Sequence, residues 1–358
     1  MSCEQEEVRK QAMPVNEIAQ GDKDKIRALG FDISGLKDDR EFYIVENDIL
    51  LRKDVLADYQ GAVPLEEDVS ANGRAEQARV DVLINLANQR NITVLVDGTI
   101  PTGGDRDWRA EVQQAIADIN AIPYSRIRMQ YVTNAPADIT IRDDAGALND
   151  GSWVWNGSSW VWSWTLAQAE WPVNGNAGPQ IRINNNVDNN RVMTTGQKRH
   201  NIAHELGHCV GFRHTNWSGL GEGPATGITG TPNTGLNPDP NSIMNGGTAL
   251  NAWAGFSIHD RTAYSSTYPS MQVTIAGPTK GNNSGTYTWR ASSTIGIGPF
   301  TYTWRYSYDE LNYSPFGTGT SRTAQLPLDK DLYLRVTATA SDGEVAIGDH
   351  YTMNLDSN

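Results

Sequence analysis

The chain has 358 residues, a formal net charge of −13 and 38 % hydrophobic residues, of which the aromatics make 8 % of the chain. That length exceeds one comfortable core and predicts two or three folded units. The acidity argues against a nucleic-acid partner, because a phosphate backbone repels an acidic surface, and no run approaches the ~18 apolar residues that a transmembrane segment needs.

Near the start, Cys3 is followed by a polar tail that resembles a bacterial lipoprotein start after removal of a signal peptide. A secreted or cell-surface chain, lipid-anchored through Cys3, is one reading, and a free thiol in a disordered tail is the other. The second cysteine, Cys209, reads as a buried thiol, so no disulfide to Cys3 is expected.

Helix-like spacing over residues 15–29, with Gly30 as its cap, opens a preamble of residues 1–92. The run 42–51, apolar but interrupted by Glu46 and Asp48, suits a strand and turn, and a second helix is expected over 75–88 before a strand at 92–96. Asp107 can cap a helix with Trp108, Val112, Ala115, Ile116 and Ile119 on one face. Strands are expected at 127–132, 138–142 and 180–183, then a helix from about 194 to 209. This alternation predicts an α/β (α+β) unit over 93–270. Between the later strands, Trp153, Trp155, Trp160, Trp162, Trp164 and Trp171 read as a hairpin packing on the sheet, or as an aromatic surface meeting substrate. Residues 184–190, rich in Asn and Asp, could hold Ca2+, although loop chemistry explains them without an ion. From 271 to 358, short alternating runs between turns predict an all-β, immunoglobulin-like sandwich without a disulfide, either a spacer or a module for a surface ligand.

The chemistry is concentrated in residues 204–214. On a helix, His204 and His208 lie one turn apart and can present two imidazoles to one Zn2+. Glu205 lies roughly 100° around, where its carboxylate can meet a metal-bound water as general base. Gly211 lets the helix stop and the chain turn, bringing His214 round as third ligand and leaving the fourth position open, as catalytic zinc requires. His200 stands four residues before His204 but is followed by Asn201 rather than an acid, so it reads as a helix-surface or supporting residue.

This extended motif resembles the metzincin metallopeptidases, and residues 204–217 look most like the bacterial dual-action HEIGH metallopeptidases, with Leu206 where that name has isoleucine. Residues 43–49 and 256–264 add weaker similarity. The resemblance implies a metzincin-like domain with the active-site helix on a twisted mixed sheet, and a protein or peptide substrate. It also implies a turn with Met244 beneath the metal, as residues 242–245 suit, and a sheet-edge strand at 138–142 on which Ile139 and Ile141 would line an extended substrate. Tyr264 is a candidate oxyanion stabiliser against a packing role, and no tyrosine follows Met244 closely enough to be an extra ligand. The preamble is either an inhibitory prosegment, with Glu46, Asp48 or the Cys3 thiolate reaching the metal, or a domain that packs on the sheet. The contrasting reading of the whole chain is a non-catalytic adhesion or binding protein with a vestigial zinc site.

Overall fold

The computed structural model describes residues 18–59, 78–79, 83–148, 152–155, 160–186, 192–222, 226–227 and 238–356; Cys3 lies outside them. Side chains alternate between buried and half-buried along Ile92–Val96, as a strand with one face on a core requires. Met129–Val132, Ile92–Val96, Ile139–Asp143 and Gln180–Ile183 lie side by side and parallel in that order. Ala167–Glu170 follows antiparallel to Gln180–Ile183. Beyond it the same sheet continues into the N-terminal segment: Ile49–Arg52 pairs parallel with Ala167–Glu170, and Phe42–Val45 and Lys37–Asp39 complete an antiparallel series.

Two helices cover the sheet. Arg109–Asn120 buries Val112, Ala115, Ile116 and Ile119. Asp107 accepts from the Arg109 amide at 3.0 Å, while the N-cap position itself falls on Trp108. Thr195–Cys209 begins with a capping box in which Thr194 and Gln197 satisfy each other's backbone amides. The helices pack together and are tied by Arg199 to Asp118 at 2.6 Å.

Three expectations change. The helix over 75–88 is not formed in its described residues: Ala78–Arg79 is a strand between Phe212–Arg213 and Thr226–Gly227, and Leu86–Asn88 is one 3-10 turn. Cross-strand pairing there overrides local helix propensity. The strand 138–142 is no edge, since Ile139–Asp143 has neighbours on both sides and Ile139 and Ile141 are fully buried. The outermost strand of the main unit is instead Ala167–Glu170, whose free side is taken by Ile49–Arg52. The tryptophan-rich stretch does form a hairpin, Ser152–Trp155 with Trp160–Ser163, but Trp171 leaves it for a different core.

That core is separate from the main one. Ile26, Leu29, Phe31, Tyr43, Val45, Ile49, Leu51, Leu56 and Tyr59 cluster around Trp171, so the N-terminal segment carries its own apolar interior closed by one large side chain from the sheet. Ile84 and Ile92 belong to the main core. Residues 272–354 form two further β-sheets, of three and five strands, packed around Trp289, Trp304, Leu334 and Val336. Arg126, fully buried, pairs with Asp342 and Glu344 and ties this β-rich region to the main unit. Among the described residues no helix is long and apolar enough to cross a membrane.

Candidate metal centre

The helix Thr195–Cys209 carries His204 and His208 one turn apart, and it ends where Gly211 takes φ 93°, a conformation that disfavours any residue with a Cβ. The short strand Phe212–Arg213 then returns the chain so that His214 faces the helix. All three imidazoles are held by the same device. Nδ1 of His204 bonds the Ile243 carbonyl at 2.8 Å, Nδ1 of His208 the Phe212 carbonyl at 2.7 Å, and Nδ1 of His214 the Glu222 carboxylate at 2.7 Å. Since carbonyl and carboxylate oxygens only accept, each Nδ1 carries a proton, which leaves Nε2 as the atom of each ring that can offer a lone pair to a metal.

Those lone pairs converge. Nε2 of His204 and Nε2 of His208 are 2.9 Å apart, and ligand atoms of His204, His208, His214 and Asp48 all lie within 4.8 Å of one another. Lone pairs so close repel unless a cation lies between them, so the donor set suits a metal ion, and three imidazoles with a carboxylate suit zinc.

The floor of the centre is the turn carrying Met244. Its carbonyl accepts from the Thr215 amide at 2.8 Å, and its Sδ lies where a side chain on Gly207 would go. Asp260, buried at the start of the helix Ile258–Thr267, fixes this turn by accepting from the Ser242 hydroxyl at 2.6 Å and the Ile243 amide at 3.0 Å. It thereby positions the carbonyl that orients His204. The Ser257 to Asp260 capping box was readable from sequence, but its second duty to residues 242–243 was not.

Glu205 lines the same cleft, and one of its carboxylate oxygens is buried with no hydrogen-bond partner among the described residues. Burial, then the neighbouring Asp48 carboxylate, push Glu205 well above the usual carboxylate range. His200 is buried rather than on the helix surface and bonds Thr248 at 3.1 Å; burial lowers it to about 4, so it is neutral. Cys209 is a buried thiol pushed up by burial and is unreactive. Tyr264, 1 % exposed, packs against Phe212 and Phe256 in the core. Asn184 and Asn185 spend side-chain oxygens on the Asn186 amide and the Trp108 indole, which accounts for them without Ca2+; residues 187–190 lie outside the described set.

Of the two N-terminal acids, the structure brings Asp48 to the histidines: its Oδ2 lies 2.8 Å from His214 Nε2 and 3.6 Å from His204 Nε2, and its Oδ1 3.7 Å from His208 Nε2. Burial opposes ionisation, but the His214 and His208 imidazoles outweigh it and hold Asp48 well below the usual range. Glu46 is taken by Arg213 in a buried, two-pronged ion pair.

The model of the dual-action HEIGH metallo-peptidases matches residues 55–268, which include all three histidines, Glu205 and Met244. The chain belongs to this family. No curated protein matches this metallopeptidase. Among solved structures it is similar to a superoxide reductase (neelaredoxin) from Ignicoccus hospitalis, at 11 % identity over 23 % of this chain and 80 % of that one, with a TM-score of 0.21. A PKD domain of an M14-like peptidase from a Thermoplasmatales archaeon gives 16 % identity over 24 % and 94 %, with a TM-score of 0.18. A CARDB domain from Pyrococcus furiosus gives 13 % over 24 % and 93 %, with 0.17. Scores this low assign no fold.

Proposed function

We propose that the metallopeptidase is a zinc-dependent endopeptidase in which His204, His208 and His214 hold the ion and Glu205 is the general base. The observation that carries this is the shared Nδ1 anchoring, which turns three Nε2 atoms towards one another beside a buried carboxylate. When bound, zinc polarises a substrate carbonyl and lowers the pKa of water towards ~7. Glu205 takes the proton of the attacking water and delivers it to the leaving amine, a task suited to a carboxyl whose proton affinity is raised by burial. The backbone of Ala167–Glu170 is the edge on which an extended substrate would add as a strand, once that edge is free. On this reading residues 271–358 are an immunoglobulin-like module outside the reaction, and the chain acts in a secreted or surface setting.

Because Asp48 stands among the ligand nitrogens, the test is made in the Asp48→Ala chain, with and without Glu205→Ala. Casein and mixed-peptide hydrolysis is measured beside zinc content. Hydrolysis that disappears with Glu205 while one zinc per chain is retained supports the assignment. A double variant that cuts as fast as the single one removes Glu205 from the mechanism.

A further inference from the structure

We propose that Asp48 is a fourth protein ligand of the metal, and that residues 18–59 thereby hold the full-length chain in a latent state. This rests on the zinc reading above. Four independent features of the N-terminal hairpin converge on it.

The first is the carboxylate itself, which spans the three Nε2 atoms, with Oδ2 towards His214 and His204 and Oδ1 towards His208. Asp48 Oδ1 is also buried and has no hydrogen-bond partner among the described residues, as a ligand atom would. A carboxylate placed there takes the position that water must occupy for Glu205 to act.

The second is the backbone on either side of Asp48. The Asp48 carbonyl accepts from the Ala169 amide at 2.9 Å, the Leu50 carbonyl from the Trp171 amide at 3.0 Å, and the Asn47 carbonyl from the Gln168 side chain at 2.9 Å. These are the edge groups an extended substrate would use, so hairpin and substrate exclude one another. What the hairpin offers the metal is a side-chain carboxylate, not a peptide carbonyl, which is why the occupant is not itself a substrate.

The third is how the tip is held. Glu46 and Asn47 both have positive φ, 54° and 71°, a conformation that costs a residue with a Cβ and persists only where the surroundings hold it. Glu46 is held by Arg213, the residue next to His214, and Arg213 also stacks over Phe31 at 5.2 Å and donates to the Gly30 carbonyl at 3.2 Å. One arginine of the metal-binding loop therefore grips the N-terminal segment at three places.

The fourth is separability. The segment has its own apolar core, to which the main unit contributes Trp171, which meets Phe31 edge-on at 5.3 Å and lies 6.4 Å from the His208 ring. The family match begins at residue 55, after the whole hairpin. Loss of the Asp48 carboxylate removes the tie between the hairpin tip and the histidines, which opens the metal position and lets the hairpin yield the edge strand to a substrate.

The full-length wild type, Asp48→Ala and the shape-conserving Asp48→Asn are compared after loading with cobalt(II) and, separately, zinc. The expected result is a change in the visible cobalt absorption bands on losing Asp48, zinc release to a chelator at least ~10-fold faster, since even supporting residues of metal sites cost that much, and peptide hydrolysis at least tenfold above wild type. Near-ultraviolet circular dichroism checks that the variants keep their fold, and Asp48→Asn should lie between wild type and Asp48→Ala. Cobalt bands and zinc release identical in all three chains overturn the ligand assignment. Changed bands with hydrolysis no faster than wild type overturn the latency, provided that hydrolysis depends on Glu205. Changed bands with no Glu205-dependent hydrolysis in any chain count instead against the endopeptidase reading and leave Asp48 as a ligand.

Discussion

Replacing Gly207 with alanine sets two opposed effects against each other in the helix that carries the metal ligands. In a helix interior the change gains about 1 kcal/mol from backbone entropy. Here, however, the new Cβ would lie 3.1 Å from Met244 Cε and closer still to its Sδ, inside ordinary van der Waals contact. Met244 is 2 % exposed, with its amide bonded to the Ser242 hydroxyl at 3.1 Å and its carbonyl bonded by Thr215, so it has little room to retreat. Overpacking of this kind costs about 1–3 kcal/mol, which leaves a net destabilisation of up to about 2 kcal/mol. Met244→Ala alone should cost about 2–5 kcal/mol through the cavity it leaves. In the double variant the atoms that collide are gone, so its loss should fall short of the sum of the single losses by about 1–3 kcal/mol. The four chains are unfolded in urea at one fixed zinc concentration, which keeps the contribution of bound metal constant. Losses that add to within about 0.5 kcal/mol would show that Gly207 and Met244 do not touch, and the placement of this methionine under the ligand helix would have to be abandoned.

Two other residues give sharp expectations. Glu222 accepts from His214 Nδ1 at 2.7 Å, so Glu222→Ala should weaken zinc binding about 10–100-fold in chelator competition; unchanged affinity would mean that His214 needs no such partner. Glu170 is pushed up to about 7 by burial from its ordinary 4.5. Between those values the folded chain keeps a proton that the unfolded chain has lost. This contribution to stability is fully present below pH 4.5 and is lost as pH rises through 7, at most about 3 kcal/mol at 1.36 kcal/mol per pKa unit. Glu170→Gln should therefore raise the unfolding midpoint at pH 8 relative to wild type and barely change it at pH 4.5; equal shifts at both would remove titration as the cause.

The metal site was legible because its information is local. Two histidines four apart face one way on any α-helix, and Gly211 marks the stop wherever the chain must leave with positive φ. The strand at Gln180–Ile183 and the buried face of Arg109–Asn120 were legible for the same reason, since their periods are written in their own residues. Ala167–Glu170 was not. Ala-Gln-Ala-Glu has no β-branched or aromatic residue, its apolar positions are only alanines, and all four residues are buried because a helix lies over the strand and neighbours lie on both sides. The edge role that the resemblance gave to residues 138–142 falls on Ile139–Asp143, whose isoleucines mark an interior strand instead.

The choice between Glu46 and Asp48 shows the same limit from the other side. Sequence places two acids two residues apart at the end of an apolar run and cannot say which meets the histidines. The structure decides by two long-range contacts. The pairing of Val45 with Ile49 sets Glu46, Asn47 and Asp48 at the hairpin tip, and Arg213, brought alongside by the turn after Gly211, takes Glu46. A guanidinium and a carboxylate that are both buried strongly favour pairing, because either alone would be left as an uncompensated charge. With Glu46 committed to the residue before His214, Asp48 is the remaining carboxylate of the tip, and the histidines are what it meets. The acid that meets the histidines is thus selected by an arginine that pairs with its neighbour Glu46, which makes Arg213 as much a part of the hairpin's placement as Asp48 itself.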